Sequence, residues 1–332
     1  MRWLFVVLAL AMLVAACRRD RGDDDSPSAT PTPAVTTQPQ SPTVISTPTG
    51  AVSGDPFSPG VHPGTMTVGG IERTYRVYVP SSLREGDAPP PLLIGLHGGI
   101  GSGQQFENQT EFDRVAEEGK FIAAYPDGTG VARTWNGGNC CGYAVREDVD
   151  DVAFISALID AVAQSFPIDS KRVYAVGHSN GGIMAFRLAC ELSDKIAAIG
   201  PVAASLEIPS CSPDRPVPVL LIHGDADQNH PLEGGVGPEG VSGVAFNSVA
   251  DTMETMRSAM GCSSDSTVSF AGAITTTDWL GCSGGVAVRL QVIAGASHPW
   301  PGARFSGFGG EPSQAMDASR ETWAFVSQYS LP

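Results

Sequence analysis

Beyond residue 60 the chain alternates short, wholly apolar runs with longer stretches whose apolar positions recur at helical spacing. The runs in "PLLIGLHGG", "FIAAYPDG", "RVYAVGHS", "AAIGPVAAS" and "VPVLLIHG" are short and apolar, as strands buried on both faces are, and "VAVRLQVIAG", interrupted by Arg289 and Gln291, reads as a further strand. Among them lie "QQFENQTEFDRVAEEGK", "DVDDVAFISALIDAVAQSF", "GGIMAFRLAC", "GVAFNSVADTMETMRSAMG" and "SQAMDASRETWAFVSQY", each of which predicts one helix. "GTMTVGGIERTYRVYVP", turning at Gly69-Gly70, and "STVSFAGAITTTDWL" read as hairpins. Strand and helix signals in alternation predict an α/β fold, with a mostly parallel central sheet and helices on both faces.

The pattern is absent before residue 61. Pro, Thr, Ser and Asp dominate from Arg18 to Gly60, with too few large apolar side chains to offset the entropy of ordering. Residues 18–60 are therefore expected to form a disordered tether. Residues 1–17, "MRWLFVVLALAMLVAAC", combine Arg2 with an apolar stretch too short to cross a bilayer comfortably, the build of an export signal. The ending "VAAC" resembles the lipobox of bacterial lipoproteins, which implies lipidation of Cys17 and an exported protein anchored to the membrane. Residues 61–332 are left as one α/β domain.

A net charge of −15 and a pI near 4.7 argue against nucleic acid as a partner, since phosphates attract Lys and Arg patches. No obligate protein partner is evident. Six cysteines follow Cys17, an even number that suggests disulfides in an exported chain. Cys262 and Cys282 flank the second hairpin and are expected to pair across it. Cys140 and Cys141 would then share Cys190 and Cys211, in an order that spacing does not decide.

Chemistry enters at Gly177-His178-Ser179-Asn180-Gly181, which fits G-x-S-x-G between a strand and a helix. Glycines are needed because side chains beside so sharp a turn would strike neighbouring backbone, and the corner lifts the serine hydroxyl above the sheet. Gly281-Cys282-Ser283-Gly284-Gly285 fits the same pattern but runs into a strand, so it lacks the context. A serine nucleophile needs a base, and the order Ser, acid, His selects His298 in "AGASHPWPG" after the last strand. His62 lies at the tether's end; His97, His178, His223 and His230 fit that order less well. The acid is expected in "HGDADQNHP": Asp227, with Asp225 as the alternative, whose other reading is to hold the turn. Backbone N–H groups of Asn180 and Gly99 are the candidate oxyanion donors. Gly235–Gly240 fits G-x-G-x-x-G without a preceding strand, and "DADQN" opens like a calcium loop but places His230 where glycine belongs. No metal-ligand cluster and no cofactor is expected.

In order along the chain, "LHGG", "TWNGGNCCGYAVREDVDDVAF", "GHSNGG", "HGDAD" and "GASHPWPG" resemble the polyhydroxybutyrate depolymerase/LpqC-like group of α/β-hydrolase esterases. That group is similar to the feruloyl and acetylxylan esterases of carbohydrate esterase family one. The resemblance implies a serine carboxylic ester hydrolase with its triad at Ser179, Asp227 and His298. Hydroxyalkanoate esters are the implied substrate, with plant polysaccharide esters as the alternative. It also implies that Trp135 and Trp300 border the site.

Overall fold

The computed structural model describes residues 57–305 and 309–332. The expected export signal, Cys17 and all of the expected tether before residue 57 lie outside the described residues. In the first half of the chain come β1 (Gly60–Val68), β2 (Ile71–Val79), β3 (Leu92–Leu96), α1 (Gly103–Thr110), α2 (Phe112–Gly119), β4 (Ile122–Pro126), α3 (Gly142–Arg146) and α4 (Asp151–Ser165). Then follow β5 (Val173–His178), α5 (Asn180–Glu191), β6 (Ala198–Val202), β7 (Val219–Gly224), β8 (Gly235–Val236) and β9 (Ala245–Phe246). The last elements are α6 (Val249–Ala259), β10 (Ser266–Ala271), β11 (Ile274–Trp279), β12 (Val288–Ile293) and α7 (Ala318–Val326).

Ten strands form one sheet in the order β1-β2-β4-β3-β5-β6-β7-β12-β11-β10. The run from β4 to β12 is parallel, and both margins are antiparallel. Those margins are the two predicted hairpins, β1–β2 and β10–β11, with Val68 opposite Ile71 and Ala271 opposite Ile274.

Side chains alternate along the central strands, so each strand feeds two cores. Leu92, Ile94, Val173, Ala175, Val219 and Leu221 face a core shared with α4, α5 and α6. Leu93, Tyr174, Val176, Leu220 and Ile222 face the other, which Phe106, Phe112 and Phe325 fill from α1, α2 and α7. Burial on both faces is why these runs carry no polar alternation.

Three expectations change. "QQFENQTEFDRVAEEGK" is two helices, broken at Glu111, whose backbone is left-handed at φ 51°. The break turns both Phe106 and Phe112 onto Trp300, at 5.4 and 5.8 Å between ring centroids. Six residues apart on one continuous helix, they would point in different directions. "GVAFNSVADTMETMRSAMG" starts as strand β9, and its helix begins only where Ser248 caps it by accepting the Asp251 N–H at 2.9 Å.

The cysteine exchange also differs. Cys190 on α5 joins Cys211 with Cα atoms 5.0 Å apart, a normal disulfide reach, so the adjacent Cys140 and Cys141 are left to pair with each other. Cys262 and Cys282 are joined across the β10–β11 hairpin, as expected.

Candidate active site

The C-terminal ends of the parallel strands share one rim, where loops leaving neighbouring strands come together. Gly98 and Gly99 follow β3, Ser179 follows β5, Asp227 follows β7 and His298 follows β12. β3 pairs with β5, and β7 with β12, so residues far apart in sequence leave the sheet side by side. A cleft of about 960 Å³ opens at this rim, and Gly99, Ser179, Asn180 and His298 line it.

Ser179 sits at φ 54° and ψ −122°, a conformation L-residues rarely adopt, while its N–H bonds to the Val202 carbonyl at 2.9 Å. The flanking glycines explain how the turn is tolerated. A Cβ on Gly177 would overlap the Gly181 carbonyl, and one on Gly181 would overlap the carbonyl oxygens of Leu96 and His97. Because rigid backbone stands in the way, Gly181→Ala should cost at least the upper end of about 1–3 kcal/mol. Urea denaturation against the parent protein checks this. Asn180 opens α5, where the first backbone N–H groups have no helical partner.

His298 Nδ1 donates to Asp227 Oδ2 at 2.7 Å, so the bare nitrogen of the neutral ring is Nε2. Asp227 Oδ1 accepts the N–H groups of Asn229 and His230, each at 2.8 Å. Burial opposes the Asp227 charge, but the bond from His298 and the His230 N–H outweigh it and hold the carboxyl at about 2. Asp225 is engaged elsewhere, accepting the Gly295 N–H at 2.6 Å and closing the turn after β12.

Three further residues support the rim. His97 Nε2 accepts the Gly128 N–H at 2.9 Å, so its proton lies on Nδ1 and is donated to the Gly98 carbonyl at 2.7 Å. His178 Nε2 donates to the His298 carbonyl at 2.8 Å. The Asn180 side chain accepts the Trp135 N–H at 2.7 Å and donates to the Trp135 carbonyl at 3.0 Å, tying the "TWNGG" loop to the turn. Sequence reasoning gave Asn180 only its backbone; the proximity of "LHGG" and "GHSNGG" to the rim was the available signal for the two histidines.

Burial pushes His97 down to about 4 and His178 down to about 3. A histidine whose folded value lies below its ordinary 6.5 contributes stability above that pH, and the contribution drains as pH falls toward the folded value. The urea midpoint should therefore fall steadily as pH drops from about 6.5 to about 4, and a flat profile there would contradict this assignment.

Trp135 and Trp300 are not on the cleft wall. Both are buried, with the Trp135 indole N–H bonded to the His97 carbonyl at 2.9 Å and that of Trp300 to Ser319 Oγ at 3.1 Å. Their large apolar surfaces fill the core beneath the rim. His62 is placed in β1, with Nε2 at 2.7 Å from the Ser58 carbonyl. Among the described residues, no group of three or more His, Cys, Asp or Glu could hold a metal ion.

The family model described as "Esterase PHB depolymerase" matches residues 73–207. "Feruloyl esterase B" of Piromyces equi is 32% identical over 256 residues, covering 74% of this chain but only 44% of that protein. "Putative esterase NocK" of Nocardia uniformis subsp. tsuyamanensis is 30% identical over 324 residues, with 90% of each chain covered. The solved acetyl xylan esterase from Aspergillus awamori is similar in fold, with a TM-score of 0.51 and 14% identity over 68% of this chain and 89% of that one.

Proposed function

This chain belongs to the PHB depolymerase esterase family and has the α/β-hydrolase fold, and from that premise we propose that it hydrolyses carboxylic esters with Ser179 as nucleophile. The observation that carries the proposal is the 2.7 Å bond from His298 Nδ1 to buried Asp227, with Ser179 on a positive-φ turn in the same cleft. His298 Nε2 takes the Ser179 proton as the hydroxyl attacks the ester carbonyl. The Asn180 and Gly99 N–H groups hold the oxyanion. His298 then returns its proton to the departing alcohol, and water, activated by the same imidazole, cleaves the acyl-enzyme.

Short hydroxyalkanoate esters are the favoured substrates. Exposed Ile100, Val131, Val241 and Phe305 give the cleft an apolar margin suited to ester chains of low polarity. The identity with a feruloyl esterase favours a second reading, an aromatic acyl group on plant polysaccharide. Hydroxybutyrate oligomers, methyl ferulate and acetylated xylan, assayed side by side, separate the two. Parallel p-nitrophenyl esters and peptide anilides test the reaction itself; faster anilide cleavage would make it a peptidase.

The proposed setting is outside the cytoplasm, which three disulfides favour. Residues 61–332 form the esterase domain, held to a membrane by a tether of residues 18–60 and a lipid on Cys17. Metabolic labelling with a fatty-acid analogue tests the anchor: Cys17→Ala protein should take up none.

A further inference from the structure

The loop that carries the Gly99 N–H also holds a residue in a backbone conformation that its side chain resists. Ile100 has φ 68°, in the left-handed region, and among the described non-glycine residues with positive φ it alone is β-branched. Two heavy atoms on Cβ crowd the backbone there, so a positive φ at such a residue is a true outlier. Glu111 and Lys120, by comparison, close the last turns of α1 and α2, where a left-handed residue is an ordinary ending.

The surrounding backbone imposes the conformation. The Ile100 N–H bonds to the Arg133 carbonyl at 2.8 Å, and the Gly101 N–H to the Gly98 carbonyl at 3.1 Å. A Cβ on Gly98 would lie 3.5 Å from the Ser179 Cβ, and one on Gly99 would lie 3.9 Å from the Asn180 Cβ. The loop therefore rests directly against the nucleophile turn. Ile100, one residue further on, lines the same cleft and is 57% exposed, so its side chain fills neither core. Glycine would hold this turn without strain. A strained apolar side chain, left largely uncovered by the protein and placed beside the reacting centre, points to a contact completed by substrate.

We propose that Ile100 is a specificity residue, whose side chain packs on the apolar chain next to the scissile ester and selects longer chains over one-carbon ones. This rests on the esterase reading and gives its chain-length selection to one residue. Contact removes apolar surface of both partners from water, and only a chain long enough to reach Ile100 gains from it.

The test measures kcat/KM for p-nitrophenyl acetate and hexanoate, which vary the acyl chain, and for methyl and hexyl butyrate, which vary the alcohol. In one of the two pairs the parent should favour the longer ester by about tenfold or more, and Ile100→Gly should cut that ratio by about tenfold. Ile100→Asn accepts the left-handed backbone but presents an amide in place of the apolar surface, and should cut the ratio similarly. The urea midpoint of Ile100→Gly should not fall below the parent's, because the strain is gone. Three results would each overturn the inference while leaving the esterase reading intact: no preference in either parent pair, a ratio that survives both substitutions, or a lowered urea midpoint in Ile100→Gly, which would make the residue structural. A uniform loss over all four esters leaves the ratio in place and counts among them. If the parent cleaves none of the esters, the esterase reading falls as well.

Discussion

Ser179→Ala protein should hydrolyse a p-nitrophenyl ester about a million-fold more slowly than the parent, with a thermal midpoint close to the parent's. The methyl group of alanine fits where the serine Cβ already stands, so the strained turn is neither relieved nor worsened. What disappears is the oxygen proposed to form the acyl-enzyme, and a fluorophosphonate probe should label the parent but not the variant. Water attack assisted only by the oxyanion donors sets the residual rate. Activity within tenfold of the parent would mean that another group forms the covalent bond, or that none is formed.

The second large effect is expected at Asp227→Asn, where kcat should fall by about ten-thousandfold. An asparagine oxygen can still accept the Asn229 and His230 N–H groups, so the loop after β7 keeps its shape. Its amide group, turned toward His298, donates where the carboxylate accepted. The imidazole proton then moves to Nε2, and no base faces Ser179. The carboxylate's stabilisation of the imidazolium is lost as well. Because substrate contacts stay in place, KM should change little. Asp225→Asn is the control: its carboxylate only closes the turn at Gly295, so that protein should lose far less activity. The opposite ranking of the two variants would reassign the acid.

How much of this was legible differs from residue to residue. Ser179 stands out because a sharp turn needs glycine where Gly177 and Gly181 meet backbone, and that need is written locally. The α1–α2 break at Glu111 was hidden, since a left-handed glutamate inside a helical pattern leaves no compositional mark. The burial of Trp135 was equally hidden. Its N–H finds the His97 carbonyl, contributed by a loop 38 residues away.

The amino-acid sequence by itself determined the broad alternation of strands and helices, both marginal hairpins and the sharp turn at Ser179. Each depends on residues close along the chain: apolar runs, capping side chains, glycines at a corner. Only the tertiary structure decided that Asp227 rather than Asp225 meets His298, and that Cys190 takes Cys211. Those contacts join loops leaving different elements, and which loops meet is set by the order of strands in the sheet. Burial of apolar surface settles that order across the whole fold, and no local pattern records it.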